Sequence, residues 1–234
     1  MIEVTADDHA RIAQAIADAE RGTAGEIFCV VAPEVCDDRE TPLIWAAAAA
    51  LLLPALALLA GLRPTALTAL FGGWRVGHAA AHDAAIFSAL ATYVALQAAV
   101  FVAVALLASI PPLRRALTPP GVKAAAVRRA ALEQFLAQGL HLTRDRTGVL
   151  IFAALAERRA EVIADEGVYV LAAKRVWDGV VADLVAGLKR GHPADGFVAA
   201  IARAGVILAE HAPPRPGDRR NELPDNLTVL PPRT

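Results

Sequence analysis

The chain has 234 residues, 56% of them hydrophobic and 20% charged, and its mean hydropathy is +0.45. Soluble domains contain roughly 45–50% apolar residues, so part of this chain lies outside the ordinary soluble class. Residues 1–42 carry three basic and ten acidic residues, and residues 114–234 carry eighteen basic and thirteen acidic ones. Neither flank has the strongly basic balance of a nucleic-acid-binding protein, which excludes nucleic acid as a partner.

The first 42 residues predict one helix and one strand. Thr5 and Asp8 have the spacing of a helix N-cap with an acidic third residue, and Gly22 is placed to end that helix. The run Glu-Ile-Phe-Cys-Val-Val-Ala at 26–32 is apolar on both faces, which is typical of an interior strand covered on both sides. Two such elements are too few to form a core, so we expect their partners to come from later in the chain.

Two long apolar runs predict a transmembrane hairpin within residues 43–113. The spans cover about 43–62 and 85–110, and each is long enough for a hydrocarbon core of about 30 Å. Arg114, Arg115 and Lys123 follow the second span, whereas the loop between the spans offers only Arg63 and Arg75. The positive-inside rule therefore predicts that both termini are cytoplasmic, which also fits two unpaired cysteines. Charge-free spans disfavour a transport function.

The remaining sequence predicts the missing partners of the first strand. Residues 114–211 predict five elements. The first is a helix over 122–138, with Leu132, Phe135, Leu136 and Leu140 on its apolar side. An apolar strand over 147–155, an antiparallel strand over 159–164 and two more helices follow. Val176, Trp177, Val180, Val181, Leu184 and Leu188 form the apolar stripe of the first of these, and Asp195 is placed to cap the second. The tail, 212–234, is proline-rich and is predicted to be extended or disordered.

Several of these segments together carry a resemblance. Residues 139–168 contain the end of a helix, a basic loop, a Gly-Val-Leu strand, a Glu-Arg-Arg turn and a strand that ends in Asp-Glu-Gly. This block resembles the central signature of the TPM domain family. Gly-Glu-Ile-Phe-Cys-Val-Val is similar to the first strand of that family, and Asn-Glu-Leu-Pro-Asp-Asn at 221–226 to the tail of its bacterial membrane-bound branch. The resemblance implies an α/β fold, a mixed sheet with helices on its faces, interrupted here by the transmembrane hairpin, and a location in the bacterial inner membrane.

The resemblance also implies two activities, calcium binding by loop carboxylates and a weak phosphatase. Asp165 and Glu166 after the third strand are the first candidate metal ligands, with Asp37, Asp38 and Asp145 as the other suppliers. Calcium takes six or more oxygen ligands, so these segments serve only if their strand ends converge. The alternative interpretation is that all five are solvated loop acids.

The sequence predicts no catalytic residue. A phosphatase needs a nucleophile, a metal cluster or a phosphate cradle, and the chain has neither a P-loop nor a Cys-x5-Arg motif. Arg144, Arg146, Arg158 and Arg159 can attract an anion, yet they flank a turn and a strand, where arginines commonly serve solubility. We therefore expect a non-catalytic binding or assembly role at the membrane. The expected partners are the lipid bilayer and either another protein or a second copy, with calcium as the candidate cofactor. The alternative is a weak phosphatase acting on phosphate esters.

Overall fold

The computed structural model describes residues 4–36, 40–61, 81–169, 174–214 and 222–231. The chain divides into two compact units, one made of Met1–Cys36 with Pro120–Thr234 and the other of Asp37–Pro119. The elements of the first unit are α1 (Ala6–Glu20), β1 (Glu26–Ala32), α5 (Pro120–Ala137), a 3-10 turn (Leu140–Leu142), β2 (Gly148–Ala154), β3 (Arg159–Ala164), α6 (Glu166–Tyr169), α7 (Lys174–Arg190), α8 (Pro193–His211) and β4 (Leu227–Val229). Those of the second are α2 (Thr41–Leu59), α3 (Ala81–Ala108) and α4 (Pro111–Leu117).

The four strands of the described residues form one mixed sheet in the order β3-β2-β1-β4. β1 pairs in parallel with β2 along its whole length, from Glu26 opposite Gly148 to Ala32 opposite Ala154. β3 is antiparallel to β2, and β4 is parallel to β1. The predicted mixed α/β fold is therefore confirmed, and so is the partnership between the strands on either side of the apolar insertion.

Both faces of the sheet are covered, which explains why β1 and β2 are apolar throughout. Ile27, Cys29 and Val31 point to one side, where they pack with residues of α1, α7 and α8. Phe28 and Val30 point to the other side and pack with residues of α5. In the described residues the unit is thus a three-layer structure, with α1, α7 and α8 covering one face and α5 the other.

The first helix forms as its sequence predicts. The Thr5 hydroxyl accepts a hydrogen bond from the Asp8 amide at 3.2 Å, and the Asp8 carboxylate accepts one from the Thr5 amide at 3.0 Å. This reciprocal capping box satisfies two amides that a helix start would otherwise leave without partners. Ile12 and Ile16, one turn apart, are fully buried against the sheet.

The helices α7 and α8 pack, together with α1, on the face of the sheet opposite α5. Trp177, Val180, Leu184 and Leu188 of the predicted stripe are buried, whereas Val176 at its start is 37% exposed. The prediction that Asp195 caps α8 is wrong. The helix begins at Pro193, whose ring suits a first helical position. The capping position therefore falls to His192, and the Asp195 carboxylate instead accepts a hydrogen bond from Arg11 at 2.6 Å.

The prediction for α5 is correct in extent but partly wrong in face. Phe135 and Leu140 are buried as expected, together with Val127 and Ala131 of the helix. The leucines at 132 and 136, assigned to the same apolar side, are exposed. The cause is that α5 has apolar residues on two opposite faces, and only one of them meets the sheet.

The tail also departs from its prediction as merely extended or disordered. Leu227–Val229 forms β4 beside Cys29–Val31, and the Leu230 amide donates to the Val31 carbonyl at 2.9 Å. Leu223 and Leu230 pack against the α5 side of the core. The tail therefore covers what would otherwise be an open edge of β1.

The second unit contains two helices that are long and apolar enough to cross a membrane. They are Thr41–Leu59 and the part Ala89–Ala108 of α3, both with a mean hydropathy of 2.2. α2 continues through Pro54, and its buried residues recur every four positions at Pro42, Ala46, Ala50 and Pro54. Small residues at this spacing allow close helix packing. Residues 62–80, which connect the two helices in sequence, lie outside the described part of the chain.

Candidate functional site

The two ends of the sheet differ in what they carry. β1 and β2 start side by side, and β3 ends beside them because Ala164 pairs with Val149. We call this end the acidic edge, since Glu20, Glu26, Asp145, Asp165, Glu166, Glu222 and Asp225 lie at or next to it. The opposite end, where β1 and β2 finish, we call the linker edge, because the chain leaves toward the apolar unit there.

Both connections to the apolar unit depart from the linker edge. After β1, the Val35 and Cys36 amides donate to Glu157 in the β2–β3 turn, at 3.0 and 2.7 Å. The returning chain enters α5 at Pro120, and the far end of α5 leads through Leu140 to the start of β2. α5 therefore runs from the linker edge to the acidic edge. Asp37 and Asp38 fall outside the described residues, and Cys36 directly before them is at the linker edge.

Asp165 and Glu166 are bridged by an arginine. Asp165 is 6% exposed, and its carboxylate accepts the Glu166 amide at 2.7 Å and the Arg146 Nε at 3.5 Å. A second nitrogen of Arg146 lies 3.2 Å from the Glu166 carboxylate, which is itself well exposed. The guanidinium thus supplies positive charge to two neighbouring carboxylates.

The third candidate at this edge, Asp145, is held close by the glycine of the Asp-Glu-Gly segment. A Cβ at Gly167 would lie 2.5 Å from the Asp145 carbonyl oxygen and 2.6 Å from that of Arg146. The Gly167 amide donates to the Arg146 carbonyl at 3.0 Å, and Arg146 has the left-handed φ of 54°. The segment therefore needs glycine for close backbone packing, and the structure brings Asp145, Asp165 and Glu166 into one neighbourhood.

Sequence reasoning missed a group of carboxyls that the fold adds to the acidic edge. The Glu26 carboxylate accepts the amides of Glu222 and Leu223, both at 3.3 Å, and so fixes the start of the tail. The Glu20 carboxyl accepts the Ile27 amide at 2.7 Å and is hydrogen-bonded to the Asp225 side chain. No local pattern links these residues, since they come from α1, β1 and the tail; the acidic motif at 222–225 was the one available signal.

Burial sets the protonation of this group. Burial, followed by the nearby charges of Glu26 and Asp225, raises the pKa of Glu20 to about 8, although the Ile27 amide opposes the shift. The pKa of Glu26 is also raised, again chiefly by burial, with the Glu222 and Leu223 amides opposing. A carboxyl with a pKa near 8 is largely protonated at neutral pH and donates a hydrogen bond. The protonated Glu20 can therefore donate a hydrogen bond to the Asp225 side chain.

The Glu-Arg-Arg turn lies at the linker edge and has a structural task. One oxygen of the Glu157 carboxylate accepts the two amides after β1, while its other oxygen is buried without a hydrogen-bond partner in the described residues. Arg158 has a left-handed φ of 49°, which lets the turn close. Because Arg158 and Arg159 are at the linker edge and Arg144 and Arg146 at the acidic edge, the four arginines form no single anion site.

Within the described parts of the chain, no group of three or more His, Cys, Asp or Glu residues is arranged to hold a metal ion. Calcium requires six or more oxygens around one point. At the acidic edge the Glu20, Glu26, Asp165 and Glu222 carboxyls accept hydrogen bonds from backbone amides, and Arg146 pairs with Asp165 and Glu166.

The fold and this edge define a class: a three-layer α/β domain with a mixed sheet, an acidic end, and a two-helix apolar insertion. No protein-family model matches the chain, and no curated protein matches it significantly. Its fold is similar to the NMR structure of the BA42 protein from the psychrophilic bacterium Bizionia argentinensis. That match has a TM-score of 0.54 and 17% sequence identity, and it covers 97% of this chain and 95% of the other. At this identity the similarity concerns the fold.

Proposed function

We propose that this protein is a binding or assembly domain tethered to the bacterial inner membrane by an inserted helical hairpin. The observation that carries the proposal is the pairing of β1 with β2 along seven residues across the insertion. Both connections from the sheet unit toward α2 and α3 leave at the linker edge, as expected of a hairpin inserted between two paired strands.

The charge distribution supports a cytoplasmic domain. Arg114, Arg115 and Lys123 follow the second apolar helix, whereas the only basic residues in the sequence of 62–80 are Arg63 and Arg75. A periplasm-dependent reporter inserted near Gly73 is expected to be active and one fused to the C-terminus silent. Activity at the C-terminus would overturn this orientation, and activity at neither position would overturn the hairpin.

The family proposed is the TPM domain family. Supporting it, the residues that carry the resemblance occupy consecutive structural positions: the basic loop, β2, the Glu-Arg-Arg turn, β3 and the Asp-Glu-Gly segment form one continuous half of the sheet. The tail motif at 221–226 precedes the strand that closes the sheet on its other side. The test is a comparison with a solved TPM domain. We expect that domain to have a strand parallel to its first strand, as β4 is to β1 here, and an Arg that bridges its Asp-Glu pair. A TPM domain that has neither feature would contradict the family proposed.

The role proposed for the acidic edge is to bind a basic segment of a protein partner. Glu166 and Glu222 are exposed at this edge, so their charge is accessible. In capture from native membranes under mild detergent, charge reversal by Glu166→Lys with Glu222→Lys is expected to remove the partner. Asp7→Lys, an exposed acid at the start of α1, is the matched control and should retain it. Equal capture by both variants would contradict the role assigned to this edge.

Calcium and phosphatase activity are tested on the same protein. If calcium binds at the acidic edge, calorimetry on the detergent-solubilised chain should show a heat that disappears in Asp165→Ala and Glu166→Ala. We expect no turnover of a generic phosphate ester, because a phosphate cradle is not part of the arrangement described. Robust turnover that is lost in the same two variants would replace the binding role with a hydrolase.

A further inference from the structure

The outer face of α5 combines apolar and basic side chains and is turned away from the sheet. Val122, Leu132 and Leu136 are 54%, 40% and 59% exposed, and Leu142, in the turn after the helix, is 76% exposed. Together with Ala125 and Arg129, the three helical positions recur at spacings of three and four, so they form one stripe. This stripe lies opposite the buried face formed by Val127, Ala130, Ala131 and Phe135.

The charges around this stripe are of one sign over most of its length. From residue 114 to residue 132 the chain contains five basic residues and no acidic one; Glu133 is the first acid. Arg129 lies within the stripe and is exposed, and Arg128 lies at its margin, where it is paired with Glu161 of β3. A stripe of leucine and valine with arginine among it is typical of a surface that rests in a membrane interface of anionic lipid.

The covalent chain limits where α5 can lie. Only residues 109–119 separate the end of the apolar helix α3 from the first residue of α5, and part of that segment is the helix α4. A chain extends by at most about 3.6 Å per residue, and a helix by about 1.5 Å. Provided that α3 crosses the bilayer, as the proposed function requires, the first turn of α5 cannot move far from the lipid surface.

We propose that the outer face of α5 docks on the anionic cytoplasmic leaflet, with its leucines at the level of the headgroups and Arg129 on lipid phosphate. The domain then lies on its α5 side, and the three-helix face points to the cytoplasm. A second copy is a less suitable occupant, because a twofold self-contact centred on this stripe would bring Arg129 close to its own counterpart. This inference rests on the proposed membrane location, and its test separates the two.

The test places a fluorophore at single positions in the full chain, embedded in nanodiscs of phosphatidylcholine and phosphatidylglycerol. Leu136→Cys probes the outer face of α5. Val206→Cys is the matched control, since Val206 is an exposed apolar residue on α8, at 70% exposure, across the sheet. Leu52→Cys in α2 reports membrane insertion itself. The unsubstituted chain, whose two cysteines are buried, sets the background labelling.

Nitroxide-bearing lipids are expected to quench the label at 136 and at 52 but not at 206. If the label at 52 is quenched while those at 136 and 206 are both unquenched, the docking of α5 is overturned, whereas the membrane location is supported. No quenching at 52 would overturn both. A blue-shifted but unquenched label at 136 that depends on protein concentration would show that a second copy covers this face, which also overturns the inference.

The charge contribution has its own measurement. Arg129→Gln removes one basic residue near the surface, and such a residue changes binding to anionic lipid about fivefold. The ratio of quenched to unquenched label at 136 is therefore expected to fall about fivefold in the anionic nanodiscs and to change little in pure phosphatidylcholine. An equal effect in both lipids would overturn the assignment of Arg129 to lipid phosphate.

Discussion

At the scale of single residues, Glu20 links the stability of the domain to pH. Its pKa is raised from 4.5 to about 8, chiefly by burial. The folded state therefore binds a proton that the unfolded state releases between these values. The stabilising effect is fully present below pH 4.5 and is lost as pH rises through about 8, with a slope of at most about 1.4 kcal/mol per pH unit.

We predict that Glu20→Gln flattens this dependence and stabilises the protein at pH 8. The amide keeps an oxygen for the Ile27 amide and offers a donor to Asp225, as the protonated acid does. The measurement is the free energy of unfolding in detergent from pH 5 to 9, compared with Asp178→Asn at an exposed site of α7. A slope unchanged by Glu20→Gln would show that another group binds the proton.

Glu157 is the residue on which the exit of β1 depends. Its carboxylate accepts two amides that have left the sheet, and charged acceptors of this kind contribute about 1.5–3 kcal/mol each. We expect Glu157→Ala to lower the free energy of unfolding by about 2 kcal/mol or more. Glu210→Ala, at an exposed position of α8, should change it by less than about 0.5 kcal/mol. If Glu157→Ala and Glu210→Ala lowered the free energy of unfolding equally, the Glu157 hydrogen bonds would not stabilise the exit of β1.

At the scale of elements, α7 and α8 cross where two glycines meet. A Cβ at Gly187 would lie 2.4 Å from the Gly196 Cα and 2.6 Å from its amide nitrogen. Both neighbours are backbone atoms, so the helices themselves must separate to admit a methyl group.

We therefore predict that Gly187→Ala destabilises the domain by about 2 kcal/mol, within the range of overpacked cores. The control is Gly121→Ala in α5, which meets no atom within 4 Å and should be neutral or stabilising because alanine favours helix. Thermal unfolding of the two variants gives the comparison. A fully stable Gly187→Ala would mean that the helix crossing tolerates a wider separation.

The elements also show what the sequence can and cannot predict. β1 and β2 were predictable because a strand buried on both faces is apolar without interruption. β4 was not, since its three residues lie in a proline-rich tail and form a strand only by pairing with β1. In the same way Asp165 and Glu166 were accessible to reasoning as a local pair, whereas Glu20 and Glu26 reach the acidic edge only through the fold.

On the scale of the whole molecule, the apolar unit is an insertion in a loop of a domain that is otherwise complete. Both of its ends leave at the linker edge, and the core of the sheet unit lies within Met1–Cys36 and Pro120–Thr234. We predict that replacing residues 37–119 with a short flexible linker yields a soluble domain with the same sheet.

Circular dichroism and amide exchange of β1 and β2 would check this domain. Both strands should show slow exchange, since they are the central strands of the sheet in the described residues. The control is a truncated chain that ends at residue 36, which we expect to remain unfolded because β1 then lacks its partner. Failure of the linked domain to fold, with the control behaving as expected, would mean that the apolar unit takes part in the core.

The parallel pairing of β1 with β2 also fixes an order of events during synthesis. β1, which is apolar throughout, is translated first. It cannot pair with β2 until the insertion, α5 and β2 itself have also been translated. At about 5–20 residues per second this interval is on the order of ten seconds. Throughout this interval β1 has no strand to pair with, so we expect the newly made chain to be prone to aggregation unless a chaperone shields it.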